Sequence, residues 1–299
     1  MKYYFIINPK AGKKHGDVKA VIGKCAAKAE AEQKKKEKIE WKAVFTERAG
    51  HAQELAAAAV KAGYGCIIAA GGDGTIQETA KGVIGSGADF GLLPCGSGNG
   101  LARNLSIPLN VEAAAEGIFK WKAKPVDAGF ANGKLFLVSC GIGLDAEVAH
   151  CFNSKSHGRG ILPYVWHALR IYFSYKAKPV PFVIDGRNHL LEGLIITALI
   201  GEQYGGGAKI APRAVVDDGL LDLCAVKPVN TLRLLMYLPE LFKGTLDRHT
   251  DIYEDIRCKE FSADCGGPFW FHLDGEDFRC ETGRLDVRIA PAALKIIRP

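Results

Sequence analysis

The chain of 299 residues has no apolar run long enough to cross a bilayer. Its longest, Leu190 to Ile200, is broken by Glu192 and Gly193, whereas a spanning helix needs ~20 apolar residues. The amino terminus offers one lysine and the short run Tyr3 to Ile7, closed by Asn8-Pro9, too little for the apolar region of a secretory signal. The nine cysteines include no Cys-x-x-Cys pair and no Cys/His set with zinc spacing, and an odd count disfavours a complete disulfide framework. Reduced thiols in a cytoplasmic setting are expected. Charge imbalance is small, 39 basic against 33 acidic residues for a net +6. The densest basic cluster, Lys34, Lys35, Lys36 and Lys38, alternates with Glu32, Glu37 and Glu40 and reads as a solvated helix end. Nucleic acid, which selects a concentrated basic stripe, is therefore not an expected partner. A P-loop ending in Gly-Lys-Ser/Thr is also missing, as is any Ser/His/Asp or Cys/His constellation.

What is present is glycine, 35 residues of it, in a composition that is 48% hydrophobic and 24% charged. That balance suits a globular chain with many tight turns, and the length suits two domains at ~150 residues each. Up to Pro125, short apolar runs alternate with helical patterns: Tyr3 to Ile7, a polar helix near Gly16 to Lys34, Trp41 to Phe45, Gln53 to Lys61, Cys66 to Ala70, a helix from Thr75, Phe90 to Leu93, and helices near Leu101 and Glu112. This rhythm predicts an α/β domain with a parallel sheet. Beyond Pro125 the runs are rich in branched and aromatic residues and bounded by Asn132-Gly133, Asp185-Gly186, Asp218-Gly219 and Asp274-Gly275. Lys134 to Ser139, Pro181 to Ile184, Leu194 to Ile200, Leu220 to Val226, Phe269 to Leu273 and Leu285 to Ile289 read as its strands. Hairpin chemistry of this kind predicts an antiparallel β-sandwich, interrupted by helices near Ile161 to Tyr175 and Thr231 to Phe242.

Three glycine loops follow predicted strands. They are Asn8-Pro9-Lys10-Ala11-Gly12, Gly71-Gly72-Asp73-Gly74-Thr75 and Pro94-Cys95-Gly96-Ser97-Gly98-Asn99-Gly100. Glycines let the backbone approach a ligand, and the helix starting after each later loop offers free N–H groups to phosphate. In a parallel sheet all three emerge at the carboxyl ends of strands, where ligands bind. Any one alone is compatible with a plain strand-to-helix turn. Lys10 and Lys13 are candidates to neutralise phosphate, or are simply solvated. Asp274 and Glu276 put two carboxylates on one tight turn, suited to proton abstraction from a hydroxyl, though Asp-Gly is also an ordinary hairpin turn. His272, among apolar neighbours, reads as a core or wall residue. The cluster Asp217-Asp218-Gly219-Leu220-Leu221-Asp222 suits magnesium or calcium by its oxygen chemistry, or is another hairpin. Cys95 is the one cysteine in a glycine loop.

The ordered set resembles the diacylglycerol kinase catalytic-domain superfamily, which groups bacterial soluble lipid kinases with sphingosine and ceramide kinases. It comprises Asn8 to Gly12, Thr46 closing the second strand, Gly71 to Thr75, Leu93 to Asn99, Asp127-Ala128-Gly129, Asp217-Asp218-Gly219 and Leu273 to Glu276. The glycine loop at Gly71 is shared with NAD kinases; the full order is far more specific and spans nearly the whole chain. The resemblance implies an ATP-binding α/β domain of the phosphofructokinase/NAD kinase type over 1–125, with 290–299 returning to it, and a lipid-substrate β-sandwich over 126–289. It implies ATP held between them by Asn8, Pro9, Lys10, Ala11, Gly12, Thr46, Gly71, Gly72, Asp73, Gly74, Thr75, Ile76, Gln77, Glu78, Gly96 and Ser97. It further implies Mg²⁺ at Asp218 with the backbone oxygens of Val215 and Leu220, and Asp274 and Glu276 as the catalytic acid group, with the proton acceptor of the two left open.

The implied reaction is ATP-dependent phosphorylation of a lipid hydroxyl, diacylglycerol to phosphatidic acid. A sphingoid long-chain base is the alternative acceptor, because Gly96-Ser97-Gly98-Asn99-Gly100 is closer to the sphingosine kinase form. An NAD kinase, or a non-catalytic nucleotide- or lipid-binding module, stands behind these. The lipid would be presented by the inner membrane face in peripheral contact, for which Ile161 to Tyr175, with Arg159, Arg170, Lys176 and Lys178 at its flanks, is the candidate segment. A homodimer is left open.

Overall fold

A computed structural model describes residues 2–11, 17–32, 38–154 and 171–299. The chain divides into two units, Met1–Val126 with Ala292–Pro299, and Asp127–Pro291.

The first unit is built on a parallel sheet. β1 (Lys2–Ile7) lies between β2 (Glu40–Phe45) and β3 (Cys66–Gly71), and β3 pairs in turn with β4 (Asp89–Pro94). β3 is a continuous apolar run buried at every position, as a strand covered on both faces must be. The helices are α1 (Val18–Glu32), α2 (His51–Lys61), α3 (Asp73–Val83), the short α4 (Gly100–Asn104) and α5 (Val111–Lys120). Asp17 opens α1 by accepting the amides of Lys19 and Ala20, at 3.0 and 3.2 Å, and Asn110 caps α5 through Ala113 N–H, both satisfying donors that a helix start leaves orphaned.

In the second unit, one antiparallel sheet runs in the order β14 (Tyr253–Cys258), β13 (Leu221–Val226), β10 (Ile195–Leu199), β7 (Ser139–Gly143), β16 (Phe269–Leu273), β17 (Glu276–Cys280). The other is formed by the first part of β18 (Arg284–Arg298) with β15 (Glu260–Asp264), β8 (Pro179–Ile184) and β9 (Arg187–Glu192), and by β5 (Lys122–Ala131) with β6 (Lys134–Phe136). Their inward residues, among them Ile142, Ile196, Leu223 and Phe271 from one sheet and Phe182, Ile184, Phe261 and Val287 from the other, form one buried cluster, the core of a sandwich. A small hairpin of β11 (Gln203–Gly205) and β12 (Ala208–Lys209) and the helices α6 (Leu144–Ser154) and α7 (Thr231–Lys243) complete this unit.

β18 serves both units: Glu260 to Asp264 pair antiparallel with its first residues, whereas Lys295 and Ile296 pair parallel with Asp89 and Phe90 of β4. Ala292 marks the change with φ of 50°. The crossings fall at 126/127 and 291/292, beside the 125/126 and 289/290 divisions read from the sequence.

Two readings need correction. Lys134 to Ser139 is not one strand: β6 ends at Phe136 and β7 starts at Ser139, because the intervening amides are taken by a distant carboxylate. α6 was not anticipated at all. Most of the expected membrane segment, 161–170, lies outside the described residues; Ile171, Tyr172 and Tyr175 at its end pack against Leu144, Val148 and Leu194.

Candidate active site

The three glycine loops follow β1, β3 and β4, neighbouring parallel strands whose carboxyl ends lie side by side. Asp73 ties two of them together: its carboxylate accepts the amides of Asn99 and Gly100 at 2.9 and 2.8 Å. Asn99, at φ of 54°, closes its own loop by accepting Gly96 N–H and donating to Gly96 carbonyl, at 3.0 and 2.9 Å; asparagine tolerates that left-handed conformation better than most residues. Arg103 Nε donates to Gly98 carbonyl at 3.1 Å. The third loop joins through Asn8, whose amide donates to Thr75 Oγ1 at 3.0 Å. Glycine is required here by contact, since a Cβ on Gly96 would lie 2.7 Å from Gly72 Cα and one on Gly98 would lie 2.8 Å from Asp73 Oδ2. The outcome is a rigid backbone-lined surface at the start of α3, whose cap residue Gly72 carries no side-chain cap. Such a start presents first-turn N–H groups to an anion.

The expected nucleotide residues separate into kinds. Lys10, Pro9, Gly74 and Ser97 are exposed, and Gly72, Asp73 and Gly96 are partly so. Lys10 N–H donates to Asn8 Oδ1 at 2.9 Å and Ala11 N–H to Asn8 carbonyl at 3.1 Å, a tight turn after β1. Thr46, just past β2, donates its N–H to Ile7 carbonyl at 2.9 Å. Ile76 and Gln77 are buried, so they pack α3 against its own unit. Glu78 is occupied: its carboxylate accepts Gly50 and Ala52 amides at 2.8 and 3.3 Å, capping α2, whose own cap residue is a glycine. Gly71, also buried, would bring a Cβ to 2.5 Å from Thr75 Cβ. Gly12 and Lys13 lie outside the described residues. Burial pushes the Cys95 thiol up to about 11, which removes it as a nucleophile near neutral pH.

In the second unit, Asp274 (φ 51°) and Gly275 (φ 86°) form the two-residue turn between β16 and β17, with Leu273 opposite Glu276. Positive φ at both positions is the favoured hairpin geometry. The Asp274 carboxylate accepts three amides, Leu137 and Val138 and Ser139, at 2.9, 2.8 and 3.0 Å. These contacts split β6 from β7. Glu276, two residues on, is exposed, and its carboxylate has no hydrogen-bond or ion-pair partner among the described residues.

The Asp127-Ala128-Gly129 and Asp217-Asp218-Gly219 motifs meet. Asp127 is buried, donates its N–H to Val216 carbonyl at 2.8 Å and accepts Gly219 N–H at 2.7 Å. Asp218 accepts Leu220 N–H at 3.1 Å with one oxygen and pairs with Arg257 through the other. Val215 is an exposed neighbour. One carboxylate with nearby carbonyls has the oxygen chemistry of a magnesium site, but both Asp218 oxygens are engaged. Arg257 also reaches Asp222 at 3.6 Å, so a guanidinium already supplies positive charge there, and no cluster of three metal-ligating side chains occurs among the described residues. As arranged, these residues do not fit a resident magnesium ion.

A polar cluster escaped the sequence reading. His272 Nε2, Tyr204 hydroxyl and Asp145 Oδ2 meet at 2.6 to 3.0 Å, with His272 and Asp145 buried and His272 Nδ1 without a hydrogen bond. A Cβ on Gly141 would come within 2.4 Å of both His272 Nε2 and Asp145 Oδ2. Acidic residues at 145 and 147 in the first turn of α6 were the available signal for the helix; nothing local joins them to a tyrosine and a histidine far along the chain.

Comparison with known proteins adds the family. Residues 2–131 match the diacylglycerol kinase catalytic domain and residues 138–298 the YegS C-terminal NAD kinase beta sandwich-like domain. A Mycobacterium tuberculosis protein named diacylglycerol kinase is 31% identical over 259 residues, 83% of this chain and 81% of its own. A Pseudomonas putida protein named as a probable YegS-like lipid kinase is 32% identical over 85% of this chain and 84% of its own. A solved Bacillus anthracis structure, described as a putative diacylglycerol kinase, superposes with a TM-score of 0.78 at 25% identity, covering 100% of this chain and 97% of that one. Glycine loops on a parallel sheet, the Asp-Gly-Glu turn on a sandwich, and these matches along almost the whole length place the chain in the diacylglycerol kinase catalytic-domain family, phosphotransferases that act on an alcohol group.

Proposed function

We propose that the protein transfers the γ-phosphate of ATP to the hydroxyl of diacylglycerol, yielding phosphatidic acid. The observation that carries this reading is the contrast between the two acids of one turn: Asp274 is spent on three amides, while Glu276 is exposed and unpartnered. Asp274 is thereby the positioning residue and Glu276 the proton acceptor. Glu276 takes the hydroxyl proton as the acceptor oxygen bonds to the γ-phosphorus, and the bond from that phosphorus to the β–γ bridging oxygen breaks, releasing ADP. The amides of the Gly71 and Gly96 loops and the start of α3 hold the phosphates, with the exposed Lys10 as the countercharge. Phosphoryl transfer asks mainly for such positioning and charge stabilisation. Magnesium belongs to the proposal as the counter-ion that ATP carries, part of the substrate. Diacylglycerol is preferred as acceptor because the Mycobacterium tuberculosis relative bears that activity in its name.

The test is transfer from radiolabelled ATP into a total lipid extract, with NAD offered as a second acceptor in the same reaction. A single labelled product migrating as phosphatidic acid is expected. A labelled long-chain base phosphate would move the acceptor to a sphingoid base, and labelled NADP with unlabelled lipid would overturn the lipid reading. Glu276→Gln should lower turnover ~10²–10⁴-fold, the usual worth of a general base, with nucleotide affinity and unfolding temperature unchanged because the side chain is exposed. Asp274→Asn should lose stability as well as turnover, since three amides lose a charged acceptor. Full turnover in Glu276→Gln refutes the assignment.

A further inference from the structure

Helix α7 (Thr231–Lys243) has none of its residues fully buried. Of ten large hydrophobic side chains exposed among the described residues, five belong to it: Leu232 at 70%, Leu235 at 60%, Met236 at 64%, Leu238 at 46% and Phe242 at 48%. At ~100° per residue they fall, with Pro239, on one continuous arc of the helix, interrupted only by Thr231 and Lys243, its first and last residues. The opposite arc is already used, with Tyr237 and Leu241 packed on the cluster of Ile210, Ile252 and Tyr253. The fold therefore needs only the inner face. An outward apolar stripe on a surface helix is otherwise a liability.

We propose that this outer arc docks the protein on a phospholipid bilayer, the surface from which its lipid substrate is drawn. The substrate part of that statement rests on the lipid kinase reading; the docking part rests on the helix. Charge around α7 favours an anionic surface. Asp251 is paired with Arg233 and Asp247 with Arg213, while Glu240 accepts from the Thr245 hydroxyl and has Lys243 at 3.7 Å. Lys227 before the helix and Arg248 after it are exposed and make no ion pair among the described residues. An apolar helix face with free cations at both ends is the pattern of an interfacial anchor. No helix among the described residues is long and apolar enough to cross a membrane, so the helix would lie on the surface.

The experiment is sedimentation of the full chain with vesicles of phosphatidylcholine alone and of equal parts phosphatidylcholine and phosphatidylglycerol, with mass in solution read by light scattering. Wild type should sediment with the anionic vesicles. Leu235→Glu combined with Met236→Glu should weaken that binding at least about tenfold without moving the unfolding temperature. Val183→Glu with Leu190→Glu, also exposed, on β8 and β9, should leave binding intact. Lys227→Glu with Arg248→Glu should cost about tenfold on anionic vesicles only. The proposal falls if wild type sediments with neither vesicle, or if the α7 variant sediments as wild type does. It falls too if wild type is a dimer that the α7 variant splits while vesicle binding stays the same. A chain that phosphorylates no lipid yet sediments through α7 would remove the kinase reading and leave the docking surface standing.

Discussion

At the scale of the residue, carboxylates of one type do very different work in this molecule. Asp73, Asp127 and Asp274 each spend their charge on backbone amides and so hold loops in place. Asp222 is the opposite case, fully buried in β13 with neither oxygen hydrogen-bonded among the described residues. Burial first, then the neighbouring Asp255 carboxylate, push its acid up to about 6. The folded state thus binds this proton more tightly than the unfolded chain does. The resulting stability is complete below the ordinary carboxylate range and is lost as pH rises through about 6. Each tenfold in proton affinity is ~1.4 kcal/mol, so Asp222→Asn should stabilise the protein by up to about 3 kcal/mol near pH 8. The gain should vanish near about pH 3.5. Urea unfolding at both pH values checks it, and an unchanged midpoint at the higher pH would contradict the assignment. None of these roles is legible from residue type. Asp274-Gly275 reads as a hairpin turn, which it is, but its amide partners are 135 to 137 positions away.

At the scale of the element, what could be read was what local sequence controls. β1 to β4 and α1, α2, α3 and α5 stand close to their expected places because apolar periodicity and glycine turns are local signals. Lys134 to Ser139 was misread because its alternation continues through residues whose amides leave the ladder for Asp274. Helix contacts bring their own constraint: a Cβ on Gly82 of α3 would sit 2.5 Å from Gln53 carbonyl and 2.7 Å from Ala56 Cβ of α2. Neither neighbour is the flexible end of a side chain. Gly82→Ala should therefore push the two helices apart and cost about 1–3 kcal/mol, as overpacking does. Since α3 carries Asp73 and Thr75 of the proposed nucleotide site, nucleotide affinity should fall as well. Thermal unfolding and equilibrium binding of nucleotide measure the two effects, and an alanine variant as stable as wild type would show that the helices can separate freely.

At the scale of the whole molecule, all nine cysteines are free thiols and each unit buries several. Cys66 in the first unit and Cys258 in the second are both pushed up to about 12, chiefly by burial. Neither should react with iodoacetamide in the native protein near about pH 8, because the thiolate is the nucleophile. Their labelling, resolved by peptide mass, therefore times the opening of each unit. Equal rates would mean that the units unfold together, and rapid labelling of either site under native conditions would contradict its burial.

The amino-acid sequence by itself determined the two architectures, the order of the glycine loops and the family, since periodicity, turn chemistry and motif order are written in consecutive residues. Tertiary structure alone decided which acid of the Asp274–Glu276 turn is left unpartnered, which cation stands beside Asp218, and which face of Thr231–Lys243 is turned outward. Those outcomes depend on amides, guanidinium groups and apolar surfaces brought together from distant parts of the chain, and burial is a property of the packed neighbours rather than of the residue.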